Sequence, residues 1–203
     1  PVLFSRYHSG MVDLCLIVPH PDDEVFGAGG LMRRMTQQGK QVVTVTLTRG
    51  GAGRTLGLCT QEELPARREQ ELRLALAAIG VPEENIHIFD YPDFVTAPDR
   101  GMDPRPGLQG EDQDEIARLL AGLLAPHRPR SVPTFPPSGS NGHPDHVATH
   151  KLVLSAVQRA SAAPENLFYY SSELPFVGPV PEGFLPAEEV RRLHLTPTHY
   201  VKL

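Results

Sequence analysis

With 203 residues, a formal net charge of -5, 40% hydrophobic and 21% charged residues, the chain has the balance of a globular protein with a sizeable core, and one domain is the expectation. The negative charge argues against a nucleic-acid partner. No run approaches the roughly 20 apolar residues that cross a bilayer and no charged-then-apolar leader opens the chain, so no membrane partner is expected and the default compartment is the cytoplasm.

Strand-like and helix-like segments alternate along the sequence. The apolar run Leu14–Val18 reads as a buried strand. Residues 26–38 follow as a helix, with Leu31, Met32 and Met35 at helical spacing and Gly39 closing it. A Val- and Thr-rich strand spans 41–48. The longest helix spans 62–79, carries Leu72, Leu76 and Ile79 on one face and stops at Gly80. Then come a strand at 86–90, a helix at 114–124, a strand at 131–135, a helix at 145–160 and a strand at 167–171. This order predicts an α/β fold: a Rossmann-like parallel sheet of about five strands with helices on both faces. Beyond Ser172 the pattern weakens, and 193–195 and 199–203 read as late edge strands, with a C-terminal segment expected to be missing. The 21 prolines cluster at 92–106, 126–144 and 175–186, which marks ordered loops through which copies of the chain could associate. Cys15 and Cys59 read as free thiols.

Two clusters stand out. Pro19-His20-Pro21-Asp22-Asp23-Glu24 leaves the first strand at its carboxyl end, where open α/β sheets place ligands. Gly142-His143-Pro144-Asp145-His146 follows the fourth strand. His20 and Asp23, three residues apart, can point at one ion, and His146 closes a two-histidine, one-carboxylate set with a position left for water. Asp22 beside them is placed to act as general base. His143 can face the same cavity, with Asp145 accepting its ring N–H and holding an imidazolium against an oxyanion. The competing reading makes these acidic turns helix N-caps, with Asp22, Asp23 or Asp145 accepting backbone N–H groups. His150, four residues after His146, reads as a helix-surface or supporting residue. Gly27-Ala28-Gly29-Gly30 lacks dinucleotide-loop spacing and reads as close helix packing, whereas the loop Arg49 to Arg54 either closes over a substrate or merely turns the chain.

The motifs PHPDDE, TRGGAG, Arg68-x-x-Glu71 and GHPDH, in this order over residues 14–171, resemble the PIG-L/LmbE-like de-N-acetylase family. The resemblance implies a mononuclear zinc hydrolase that removes acetyl from N-acetylglucosamine-type substrates. It implies His20, Asp23 and His146 as ligands, Asp22 as base, His143 with Asp145 as oxyanion stabiliser, Arg68 as a sugar contact and Asp93 as a partner of sugar hydroxyls. Relatives usually continue with a further helix that this chain lacks. The arginines Arg49, Arg54 and Arg68 would suit an anionic aglycone such as the malate-linked glucosamine of bacillithiol synthesis, or form a solvated rim. Zn2+ is the expected cofactor, with Fe2+ open, because the same ligand set serves non-haem iron oxygenases. A non-catalytic nucleotide-binding domain is the third reading.

Overall fold

The computed structural model describes residues 11–96, 101–174 and 178–199. Strand β1 (Leu14–Val18) is followed by α1 (Asp23–Gln37), β2 (Val42–Thr48), α2 (Leu64–Ile79) and β3 (Ile86–Tyr91). A two-residue hairpin, β4 (Phe94–Val95) and β5 (Arg105–Pro106), precedes α3 (Gln113–His127) and β6 (Ser131–Thr134). The short turn α4 (Gly139–Gly142), α5 (Pro144–Arg159), β7 (Asn166–Tyr169) and α6 (Ala187–Arg192) complete the chain.

The five long strands form one parallel sheet in the order β3-β2-β1-β6-β7. The chain leaves β1 toward β2 on one side and returns to β6 on the other, so the strand order reverses between β1 and β6. In such sheets the crevice beyond the carboxyl ends at this reversal is where ligands bind. Both histidine clusters leave the sheet there, one from β1 and one from β6.

Alternation along β1 builds two cores. Leu14, Leu16 and Val18 face α1 and α2 and pack with Met32, Leu72 and Leu76. Cys15 and Ile17 face the opposite side, where Val43, Val45 and Leu47 of β2 meet Ile116, Leu120 and Leu124 of α3 and Leu152, Val153 and Ala156 of α5. Helices thus cover both faces, as the alternating pattern predicts.

Several boundaries differ from expectation. Helix α1 starts at Asp23 rather than at residue 26, because the acidic residues Asp23 and Glu24 sit in its first turn, where the helix dipole favours them. The sequence Gly27-Ala28-Gly29-Gly30 therefore lies inside α1 and forms no loop; Gly27 sits 3.3 Å, measured from an added Cβ, from the Tyr170 ring. The edge strand expected at 193–195 is absent: Ala187–Arg192 folds as α6, and Leu193 is its C-cap. Of the second expected strand, residues 200–203 lie outside the described residues. Among the described residues, no helix is long and apolar enough to cross a membrane.

Candidate metal centre and its cavity

The turn out of β1 is held by groups from three other elements. The Pro19 carbonyl accepts the Thr48 N–H of β2 at 2.8 Å. Asp22 then takes φ 115°, ψ -31°, a region that L residues rarely occupy, while its carbonyl accepts the Val25 and Phe26 N–H groups at 3.0 Å each. Its side chain makes no capping bond; instead the carboxylate pairs with the Arg68 guanidinium of α2 at 2.9 Å. Arg68 also donates to the Pro21 carbonyl and, at 3.1 Å, to the Gly50 carbonyl, so it fastens the β1 turn to the loop after β2. Glu24 is 0% exposed, accepts the Asp22 N–H at 3.0 Å and takes the Thr46 hydroxyl of β2. Burial pushes its carboxyl up to about 7.

The second turn, out of β6, is shaped by small residues. Gly139, Ser140 and Gly142 take φ of 62°, 67° and 85°. Asn141 Oδ1 accepts the His143 N–H at 3.1 Å. His143 is itself the N-cap of α5, its Nδ1 accepting the Asp145 N–H at 3.1 Å, and Pro144 fills the first helical position.

These turns meet. His20 Nδ1 lies 3.2 Å from Asp23 Oδ2, and His146 Nε2 lies 3.5 Å from Asp23 Oδ1. The three ligand-type atoms fall within 4.8 Å of one another. Each histidine is held from behind: His20 Nε2–H donates to Asp145 Oδ2 at 3.1 Å, and His146 Nδ1–H donates to the Gly139 carbonyl at 3.1 Å. In the neutral rings those acceptors fix the tautomers and place the lone pair on His20 Nδ1 and on His146 Nε2, both turned toward the Asp23 carboxylate. Phe135 stacks on His146 with ring centroids 4.1 Å apart and fixes its plane.

The electrostatics follow from this packing. Burial alone would lower His20, but its bonds to Asp145 and Asp23 outweigh burial and raise it to about 10, so the ring also holds a proton on Nδ1, which a metal would have to displace to take that nitrogen as ligand. Burial would raise Asp23 and Asp145, and their contacts with His20 reverse it, so both carboxyls lie below their ordinary value. Burial lowers His146 to about 4. Asp22 is raised, first by burial, with Arg68 opposing.

The Asp145 side chain departs from expectation. It does not accept the His143 ring N–H: Oδ2 takes His20 Nε2–H and, at 2.7 Å, the Phe94 N–H, while Oδ1 takes the Leu108 N–H at 2.8 Å. Nor is it the cap of α5, a place His143 fills. With Nδ1 already accepting a backbone N–H, His143 is a neutral ring whose proton sits on Nε2, and burial pushes it down to about 3. The expected imidazolium is therefore replaced by a neutral donor.

His20, Asp22, Asp23, Arg68, Asp93, Asn141, His143 and His146 line one cavity of about 220 Å³, together with backbone of the loop after β2. Asp93 is 5% exposed; its Oδ2 accepts the Ala52 N–H at 2.6 Å and its buried Oδ1 has no hydrogen-bond partner. Arg49 is not in this wall: its guanidinium pairs with Glu69 at 2.9 Å along α2. His150 donates Nδ1–H to the Phe135 carbonyl at 2.9 Å and supports the turn from outside the cavity.

Sequence reasoning gave no role to Glu24, Phe135 or Asn141, nor to Phe184, whose ring centroid lies 4.7 Å from that of His143. Only Glu24 had a visible signal, as the sixth residue of the strand-end motif, and in a charged run a carboxylate reads as solvated.

The profile of the family described as PIG-L, GlcNAc-PI de-N-acetylase, matches residues 15–157, which contain both turns. A 1D-myo-inositol 2-acetamido-2-deoxy-alpha-D-glucopyranoside deacetylase of Mycobacterium sp. (strain KMS) is 36% identical over 163 residues, covering 72% of this chain and 50% of the relative. The chain thus spans about half the length of that curated relative. Among solved structures, a conserved protein of Thermus thermophilus superposes with a TM-score of 0.61 at 29% identity, covering 82% of this chain and 69% of that one. The N,N'-diacetylchitobiose deacetylase of Pyrococcus horikoshii shares the fold, with a TM-score of 0.58 at 23% identity over 92% of this chain and 71% of that one. A profile match that runs from β1 into the last turn of α5 takes in both histidine turns and the four strands β1, β2, β3 and β6: the chain belongs to the PIG-L family.

Proposed function

We propose that the chain carries the catalytic centre of a divalent-metal hydrolase that removes the acetyl group from an N-acetylglucosamine conjugate. The observation that carries this reading is the convergence of His20 Nδ1, the Asp23 carboxylate and His146 Nε2, with a second, Arg68-bound carboxylate on Asp22 lining the same cavity. The donor chemistry fits a metal: two imidazole nitrogens face one carboxylate, each ring is anchored by an acceptor behind it, and the set is the kind that leaves positions for water. Zinc is the proposed ion; ferrous iron suits the same ligands. Bound there, such an ion would polarise an acetyl carbonyl and bring the pKa of water from about 15.7 toward about 7.

The chain's own groups divide the remaining work. Asp22 takes a proton from the attacking water and returns it to the amine as the acetyl C–N bond breaks; Arg68 keeps its carboxylate in place between those transfers. His143 offers Nε2–H as a neutral donor to the carbonyl oxygen as negative charge develops there. Asp145 holds the outer nitrogen of His20. Asp93, which lines the cavity beside the Ala52 N–H it accepts, would accept sugar hydroxyls.

The malate-linked aglycone is set aside. The matched relatives are named for an inositol glucosaminide, and of the three arginines expected to meet an anion Arg49 is engaged by Glu69 and Arg68 by Asp22, while Arg54 lines an adjoining cavity. The nucleotide reading finds no support, since Gly27 to Gly30 lie within a helix whose first turn is acidic. The spare carboxylate beside the ligands favours hydrolysis over oxygenation.

The test is acetate release from 1D-myo-inositol 2-acetamido-2-deoxy-alpha-D-glucopyranoside by zinc-loaded, iron-loaded and chelator-treated protein, without oxygen or reductant. Metal-restored acetate release is the expected result. Absence of hydrolysis with either metal, or turnover that requires oxygen and a reductant, would overturn the proposal.

A further inference from the structure

The His143 ring serves the cavity in only one of two orientations. Its Nδ1 accepts the Asp145 N–H at 3.1 Å, which leaves Nε2–H as the donor on the cavity side. A half-turn about the Cβ–Cγ bond would put Cδ2 where Nδ1 stands and Cε1 where Nε2 stands, and a C–H would replace that donor. Three neighbouring rings belong to the cavity wall itself: His20 and His146, each with its centroid 4.8 Å away, and Phe94 at 6.0 Å. The two histidines are committed to the proposed ion, and Phe94 stands at longer range. The fourth ring, Phe184, crosses His143 at 69° with centroids 4.7 Å apart, an edge-to-face arrangement that aromatic pairs favour.

Phe184 comes from a part of the chain that the family match does not reach, since that match ends at residue 157. The segment carrying it is fitted to the second histidine turn. The Phe184 N–H donates to the Pro181 carbonyl at 3.3 Å, closing a turn in which Gly183 has φ 82° and lies against Phe94, so near that an added Cβ would stand 2.5 Å from Cζ. The next residue joins backbone to backbone: the Leu185 N–H donates to the Gly142 carbonyl at 3.0 Å. Pro186 then caps α6, whose Val190 is 1% exposed and packs on Gly142, where an added Cβ would meet Val190 Cγ2 at 2.9 Å. Glycines at 142 and 183 thus let this strap lie close to the site on either side of Phe184.

We infer that Phe184 is a positioning residue for His143, holding the ring in the orientation that keeps Nε2–H aimed into the metal cavity. The effect on rate rests on the proposed deacetylation; the ring contact does not. A donor that meets charge developing on the carbonyl oxygen acts in the transition state more than on bound substrate, so its misplacement is read in kcat and not in KM.

The experiment compares F184L and F184Y with the unaltered full chain, zinc-loaded, on 1D-myo-inositol 2-acetamido-2-deoxy-alpha-D-glucopyranoside. F184L should lower kcat about three- to tenfold with KM and zinc content unchanged, and F184Y, which restores a ring, should recover most of the loss. An unchanged kcat, a loss that F184Y fails to recover, or a loss of zinc, which would make Phe184 a residue of folding alone, overturns the inference. Long-range proton–nitrogen NMR of histidine-labelled protein reads the ring without turnover. His143 should give one sharp Nε2–H form in the unaltered chain and nitrogen signals broadened by exchange between two ring states in F184L. That result upholds the positioning role even if no acetate is released, in which case the deacetylation reading fails alone. An F184L spectrum as sharp as that of the unaltered chain overturns it. F184M, whose flexible side chain keeps much of the packed volume, takes the place of F184L in both measurements if thermal melting shows that leucine unfolds the chain.

Discussion

The two turns that bring histidines to the sheet edge solve the same backbone problem differently. After β6 the chain reverses through three positive-φ residues, Ser140 between two glycines, Gly139 and Gly142, at which a side chain would collide: a Cβ on Gly139 would meet His146 Cβ at 2.8 Å. After β1 the positive φ falls on Asp22, which is not glycine. Glycine would relieve that turn, but its carboxylate would be gone. The difference lies in what the strained side chain reaches: at Asp22 it lines the cavity and pairs with Arg68, and the bonds from Glu24 and Arg68 hold the turn in place.

The comparison can be broken most severely at the ligands. His20→Ala and His146→Ala each remove one proposed ligand, and both should lose zinc on gel filtration and with it all measurable acetate release; full zinc retention in both would detach the two turns from a common ion. Next in size is the strained residue. Asp22→Ala and Asp22→Gly should both bind zinc and lose about 10²- to 10⁴-fold in turnover. Urea unfolding should then find the glycine variant about 1–2 kcal/mol more stable than the alanine variant, since only glycine releases the strain. Equal stabilities would show that φ 115° at Asp22 carries no strain.

Gly139→Ala sharpens the other side. At φ 62°, alanine should destabilise by about 1–2 kcal/mol and, by pressing on His146, weaken zinc binding. A variant with unchanged zinc affinity would make the glycine a matter of packing alone. The smallest effect lies outside both turns and serves as their control. His87 is lowered to about 4, first by burial and then by the nearby His127, which burial also lowers. A folded value below the ordinary 6.5 means the unfolded chain binds more protons between about pH 6.5 and 4, so this pair withdraws stability as pH falls through that window. In urea titrations the midpoint should drop between pH 7 and 4.5, and by less in His87→Gln; identical drops would contradict it.

Much of this was legible in the sequence. Leu14–Val18 reads as a buried strand because every residue is apolar, and it is buried throughout. The reversal of strand order between β1 and β6 lies beyond periodicity, but the alternation of strands and helices makes a parallel sheet with flanking helices the expected outcome. The hairpin of β4 and β5 was invisible, since two-residue strands among prolines carry no period. Helix α6 was missed because its Glu and Arg residues leave only Val190 buried, too little to show an apolar stripe. At the site, type and spacing single out His20, Asp22, Asp23, His143 and His146, and the fold brings all five to the wall of one cavity. What spacing misassigned was the partner of Asp145. Adjacency suggested His143, two residues away, but the helix turn points the carboxylate at His20, 125 residues away. The same limit hid Glu24, whose meaning depends on Thr46 of a neighbouring strand.

X-ray absorption at the zinc edge of the loaded protein addresses the metal centre without reliance on activity. The expected first shell is two imidazole nitrogens and oxygen donors at about 2.0–2.2 Å, with His146→Ala reducing the imidazole scattering to one ring or losing the metal. A shell containing sulfur, or one unchanged by that substitution, would contradict a centre built from His20, Asp23 and His146.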